Sequence, residues 1–183
     1  LQDVRHRRYG QQVARALDGE GVGRFGVAVA SEAVELRKSG ITKPILVLGW
    51  TPREDYARAL RNDLTLTIFS LEEAEELSRI SMALRQNAVV HIKVDTGMTR
   101  LGFCTDERAA EKIARITGLP GLTAEGIFTQ LAKADEADKT YTTKQLALFR
   151  DFTGRVEEKT GFRFKIKHAA NSAAIIDHPE SYF

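Results

Sequence analysis

Short β-branched runs alternate with helical patterns about six times along these 183 residues. That alternation predicts an α/β fold on a parallel sheet with right-handed crossovers. Two further observations narrow it. No strand pattern is followed by GxGxxG or GxxxxGK, which argues against dinucleotide-binding and P-loop folds. Charged residues also gather where strands run out, and α/β proteins build their sites at C-terminal strand ends. A doubly wound sheet and a (β/α)8 barrel both fit the pattern. A closed barrel needs about eight strands and usually ~250 residues, and the sequence shows about two strands too few.

Taken in order, the chain opens with Arg5, His6, Arg7 and Arg8 in a row, and Tyr9-Gly10 leads into a helix with Val13, Ala14, Ala16 and Leu17 on one face. Phe25–Ala30 reads as a buried strand, with Ser31 capping a helix to about Lys38 that Gly40 stops. Pro44–Leu48 is the next strand, and Thr51-Pro52 reads as an N-cap followed by Pro at the first helical position. Leu64–Phe69 is a strand, and Ser70-Leu71-Glu72-Glu73 is a capping box that opens a helix to about Arg85. Val89–Val94 is β-branched at Val89, Val90, Ile92 and Val94, as a buried strand prefers. Thr105-Asp106-Glu107 opens a helix through Ile116, Leu122–Phe128 is a strand, and Thr142–Lys159 is a long helix. Phe164–His168 is the last strand, and Asn171 begins a helix.

Composition sets bounds. Hydrophobic residues make up 43% and charged residues 28%, ordinary for one globular domain with a sizeable core. The net charge of +2, with no aromatic–basic interleaving, argues against nucleic-acid and anionic-membrane partners. Cys104 is the single cysteine, so no intrachain disulfide or cysteine-based zinc site can form, and a small packing role is expected. No apolar segment of membrane length and no signal peptide pattern appears, so a cytoplasmic location is the expectation.

Candidate functional residues follow from the strand ends. The strand ending near Val94 delivers Lys93, Asp95 and Arg100, two cations and a carboxylate on a glycine-punctuated loop. The next delivers Thr129, Gln130, Lys133, Asp135 and Glu136, and the last delivers His168, Asn171 and Ser172 at a helix start. Asn171 and Ser172 read either as helix caps or as an anion site. From the residues alone, one reading is a barrel enzyme that handles a phosphorylated metabolite through Lys93, Arg100 and Ser172.

The string His91-Ile92-Lys93-Val94-Asp95-Thr96-Gly97-Met98-Thr99-Arg100-Leu101-Gly102-Phe103 resembles the central motif of the alanine racemase family, whose barrel domain uses pyridoxal 5′-phosphate (PLP). Gly126-Ile127-Phe128-Thr129-Gln130-Leu131-Ala132, then Ala134-Asp135-Glu136, looks like that family's GIxTHxA and ADE segments. Lys167–Ala174 resembles its HxANSAA, and Tyr9-Gly10 looks like the tail of its KAxAYGHG. The resemblance implies a (β/α)8 TIM-barrel domain spanning residues 1–183, incomplete at its first and last strands and without the family's C-terminal β-domain. Two exposed sheet edges are expected, closed by further chain or a partner, with a homodimer the expected assembly.

The resemblance also implies roles. Tyr9 and Ser172 would hydrogen-bond the PLP phosphate, and Arg100 would contact the phenolic oxygen of the ring. Lys93 matches a lysine often carbamylated in the family, Asn171 would lie beside the cofactor, and Asp95 would anchor the loop. Two positions depart from the pattern. The family's Schiff-base lysine falls at Arg5, and an arginine cannot form that bond. The family's cofactor-stacking histidine is Gln130 here. The implied activity is interconversion of L- and D-alanine, supplying D-alanine for the cell wall, with serine an alternative substrate. A second reading stays open, in which a racemase homologue without catalysis acts as a PLP- or phosphate-binding or interaction module.

Overall fold

The computed structural model describes residues 2–183, with side chains described from residue 9 onward. Arg5, where the resemblance puts the family's lysine, therefore lies outside the described side chains. Helix α1 (Gln2–Gly19) precedes β1 (Phe25–Val27). The chain then alternates through α2 (Ala30–Lys38), β2 (Ile45–Val47), α3 (Tyr56–Arg61), β3 (Thr65–Ile68), α4 (Leu71–Leu84), β4 (Ala88–Lys93), α5 (Glu107–Thr117), β5 (Leu122–Phe128), α6 (Thr140–Thr160), β6 (Ile166–His168) and α7 (Ser172–Asp177). The described strands form one six-stranded sheet in sequential order, every pair parallel. A doubly wound sheet reverses its strand order at a switch point. This one never does, and it curls into part of a barrel with β1 and β6 at its edges.

Strand alternation decides which face sees what, because successive side chains point to opposite faces. On one face Ile45, Val47, Leu66, Ile68, Val90, Ile92 and Ile127 are buried in one cluster with Ala33, Val34, Leu77, Ile113, Phe149 and Phe152 of the helices. Burying each of the larger ones contributes roughly 1.5–3 kcal/mol. The other face is the concave one, and it carries Thr65, Thr67, His91 and Lys93, all buried although polar. The polar residues of β3 and β4 are thus the inner lining of a barrel and not breaks in a strand.

Local chemistry sets the helix starts. Ser70 accepts a hydrogen bond from Glu73 N (3.1 Å) while the Glu73 carboxylate accepts from Ser70 N (3.2 Å), the reciprocal box expected for α4. Asp106 caps α5 by accepting from Ala109 N at 2.8 Å.

Three local expectations are corrected. Ser31 does not cap α2; the Glu32 carboxylate accepts from Ala28 N (2.9 Å) and Val29 N (3.3 Å), which ends β1 early and starts the helix at Ala30. Thr51 does not cap a helix either. Its hydroxyl is buried and has no hydrogen-bond partner among the described residues, and Pro52 leads into a 3-10 turn, Arg53–Asp55, before α3. Cys104 is exposed, so it does not pack in the core. Among the described residues no helix is long and apolar enough to cross a membrane.

Candidate functional site

The site is built from the C-terminal end of β4. Val94 bridges Phe103, with Phe103 N donating to Lys93 O (2.9 Å) and Asp95 N donating to Phe103 O (2.8 Å). This closes residues 95–102 into a loop. The Asp95 carboxylate sits inside it and accepts from Gly97 N (2.8 Å), Thr99 N (3.0 Å) and Arg100 N (3.1 Å). Burial works against the Asp95 charge, but those three N–H groups together with Lys93 outweigh it and hold the carboxyl below its usual range. Asp95 is thus a loop anchor, and the loop it shapes carries Arg100.

Lys93 is 5% exposed on the concave face. Its Nζ donates to Val94 O at 3.3 Å and lies 5.1 Å from the centre of the Phe128 ring. Burial lowers its pKa to about 8, with the Arg100 charge adding to the effect and Asp95 opposing it. Lys93 and Arg100 together line a cavity of about 310 Å³ whose walls include Val27, Leu48, Phe69 and Leu101. Two cations in an otherwise apolar cleft suit a ligand that is both flat and electron-rich or anionic.

The loops after β5 and β6 meet at the Leu131 carbonyl. Gln130 Nε2 donates to Leu131 O (3.3 Å), and Asn171 Nδ2 donates to the same carbonyl (3.2 Å). Asn171 Oδ1 caps α7 by accepting from Ala174 N at 3.0 Å. Ser172, the first residue of α7, is exposed. Tyr9 stands on α1, 66% exposed. The structure therefore brings Lys93 to Arg100 and Gln130 to Asn171. Tyr9, Gln130, Asn171 and Ser172 do not line the Lys93–Arg100 cavity.

A polar chain deeper in the barrel was not anticipated from the sequence. His91 Nδ1 lies 2.9 Å from His168 Nε2, and the His168 ring stacks on Phe128 with centroids 4.5 Å apart. His91 Nε2 is 3.5 Å from the Glu125 carboxylate, which Arg24 holds with two bonds of 2.8 and 3.0 Å. Burial pushes the His91 pKa down, with Glu125 opposing. Burial, then the His91, Lys93 and Arg24 charges, push His168 down to about 3. Both rings are thus neutral near pH 7. A register shift in β5 opposite Val90/His91 makes room for this chain. Gly126 follows the shift, and a Cβ there would meet the His91 ring at 2.6 Å. The signal available in sequence was His91 and Lys93 at alternate positions of one strand. Among the described residues no His, Cys, Asp and Glu cluster could hold a metal ion.

Comparison with known proteins adds what geometry alone does not. Residues 9–183 match the family model described as alanine racemase, N-terminal domain. The alanine racemase of Methanococcus maripaludis is 46% identical over 171 residues, which are 93% of this chain and 46% of that protein. The alanine racemase of Clostridium perfringens is 41% identical over 170 residues, 93% of this chain and 44% of that protein. Among solved structures, alanine racemase from Clostridium difficile in complex with cycloserine superposes with a TM-score of 0.92 at 40% identity, covering 94% of this chain and 47% of that one. The Bacillus anthracis alanine racemase with bound L-Ala-P gives a TM-score of 0.80 at 36% identity, covering 88% of this chain and 42% of that one. The chain thus spans a little under half the length of these relatives.

Proposed function

Because this chain belongs to the alanine racemase family, we propose that it supplies the cofactor-holding barrel half of an alanine racemase. The observation that carries the reading is the cavity at the end of β4 that joins Lys93 to Arg100. It fits PLP on chemical grounds. The cofactor offers a flat ring with a phenolate and a phosphate, and the cleft offers apolar walls and two cationic side chains. PLP bound there would supply an electron sink that lets the α-hydrogen of an amino acid leave as a proton.

The residues of this chain would divide the work of holding it. Arg100 lines the cleft, and its guanidinium would donate to the phenolic oxygen. Lys93, with a pKa of about 8, keeps a neutral fraction near pH 7, and a neutral amine is the form that adds carbon dioxide with release of a proton. The resulting carbamate would reverse the charge and hold Arg100 by a charge-assisted hydrogen bond. Asn171 would lie beside the cofactor, with Ser172 and Tyr9 donating to the phosphate. Gln130 would hydrogen-bond at the ring edge. The substrate of the whole protein would be alanine, with serine the alternative, and its assembly a homodimer in the cytoplasm.

Gln130 favours a second reading, binding without racemisation, because its amide is already engaged at Leu131 O and carries no titratable proton. Incubation of the intact protein with PLP and alanine in deuterated water separates the two. Deuterium entering the α-position supports racemase chemistry, and PLP binding without exchange supports the second reading. Absence of both overturns the assignment.

A further inference from the structure

The outer helix α6 holds a side chain that no motif marked. Gln145 is 1% exposed, although it sits on the helix layer where an amide would ordinarily face water. Its Oε1 accepts from Ala132 N at 2.9 Å. Its Nε2 donates to Gln130 O at 3.2 Å and to Thr96 Oγ1 at 3.4 Å. One amide therefore joins the loop after β5 to the loop after β4. Thr96 Oγ1 lies 2.8 Å from Thr129 Oγ1, a second tie between the same two strand ends. Because Thr96 accepts from Gln145, its own proton is free for Thr129.

Tyr141 stands four residues earlier, on the same face of α6. Its hydroxyl donates to Gly97 O at 2.9 Å. Gly97 has φ +129°, a region that favours glycine, and a Cβ there would meet the Tyr141 oxygen at 2.4 Å. The Arg100 loop is thus shaped from within by Asp95 and pinned from behind by α6. A buried amide with its polar groups engaged is costly to disturb, since each partner it loses becomes an unsatisfied buried group.

We propose that Gln145, assisted by Tyr141, is a positioning residue that locks the Arg100 loop and the Gln130 loop into one unit and so sets the shape of the cofactor cleft. The proposal rests on the PLP reading for its functional meaning, while the coupling of the loops is testable without cofactor.

Amide hydrogen exchange of the intact protein and of Gln145→Met reads the coupling. The amides of Gly97, Thr99, Arg100 and Ala132 are expected to exchange together about tenfold faster in the variant, the change that one lost hydrogen bond of ordinary strength produces. Those of β3 and β4 should stay protected. Acceleration in one loop alone, or in neither, overturns the proposal. PLP titration monitored by absorbance reads the consequence, and Gln145→Met should weaken binding by about tenfold or more on the same arithmetic. A residue that merely stabilised the fold would lower the melting temperature and leave PLP affinity unchanged, which also overturns the proposal. If the unsubstituted protein binds no PLP, the cofactor reading fails, and exchange alone decides the coupling. If Gln145→Met does not fold, Thr96→Val takes its place. It removes one acceptor of Gln145 and the tie to Thr129, and unchanged exchange in both loops would refute the locking role.

Discussion

Replacing Lys93 with methionine removes a buried ammonium and keeps the length of the side chain. Lys93 is 5% exposed, and its single hydrogen bond among the described residues is the 3.3 Å one to Val94 O. Its pKa falls from 10.5 to about 8 in the folded protein, chiefly through burial. At Lys93 the unfolded chain therefore binds more protons than the folded one between pH 8 and 10.5, so the Lys93 contribution to stability rises with pH across that window. At about 1.4 kcal/mol for each pH unit of separation, the rise is about 3 kcal/mol. Below pH 8 the full cost of the buried charge is present; above 10.5 it is gone. Lys93→Met carries no such cost at any pH. At pH 7 it forfeits the Val94 bond and the contact with Phe128, about 1 kcal/mol each, and should still be about 1 kcal/mol more stable. Urea unfolding followed by circular dichroism, in buffers freed of carbon dioxide, measures both proteins from pH 7 to 10.5. Subtracting the variant cancels the other lysines and the tyrosines. A stability difference between the two proteins that stays constant across this range would refute the burial argument. Added bicarbonate should change the stability difference between the two proteins, since only the natural one carries the Lys93 amine, whose lowered pKa leaves it part neutral.

Other perturbations test other parts. Asp95→Ala strips three N–H groups of their acceptor and should cost about 2–4 kcal/mol, with limited proteolysis then cutting near Thr99 while the sheet stays protected. Gly126→Ala drives a methyl against the His91 ring, and thermal unfolding should show a loss of about 1–3 kcal/mol. Because burial lowers the pKa of both His91 and His168 below 6.5, the unfolded chain binds more protons in acid. Stability contributed by the neutral pair should be present above pH 6.5 and be lost as pH falls toward 3. Unfolding curves for His168→Asn, measured in parallel, should show a shallower acid dependence, and parallel curves would contradict neutral burial. Ile92→Ala opens the layer between β4 and the helices and should cost about 2–5 kcal/mol in the same assay.

Much of this was legible from local chemistry. The β-branched run of β4 and the Ser70–Glu73 box announced their elements because the forces involved act within a few residues. The family resemblance implied Asp95 as a loop anchor, and its three donors follow it within five residues. What escaped depends on distance or competition. Glu32 displaced Ser31 as the α2 cap because its carboxylate reaches two amides where a hydroxyl reaches one. The His91–His168 pair needs strands 77 residues apart in register across β5, including a shift at Val90/His91 that no local pattern encodes. Gln145 reads as one polar residue on a long helix until the loops after β4 and β5 are placed against it. One motif named Lys93 and Arg100 together, and the two line one cavity. No local pattern paired His168 with His91, or set Gln145 of α6 between the loops after β4 and β5.

Equilibrium titration of the intact protein with PLP, read by its visible absorbance and repeated with Arg100→Ala, bears most directly on the proposed cofactor-holding role. Saturable binding of one PLP per chain, weakened about tenfold or more by the loss of a charge-assisted hydrogen bond in the variant, is the expected result. A titration without saturation, or one that Arg100→Ala leaves unchanged, would contradict a cofactor-holding role for the cleft at the end of β4.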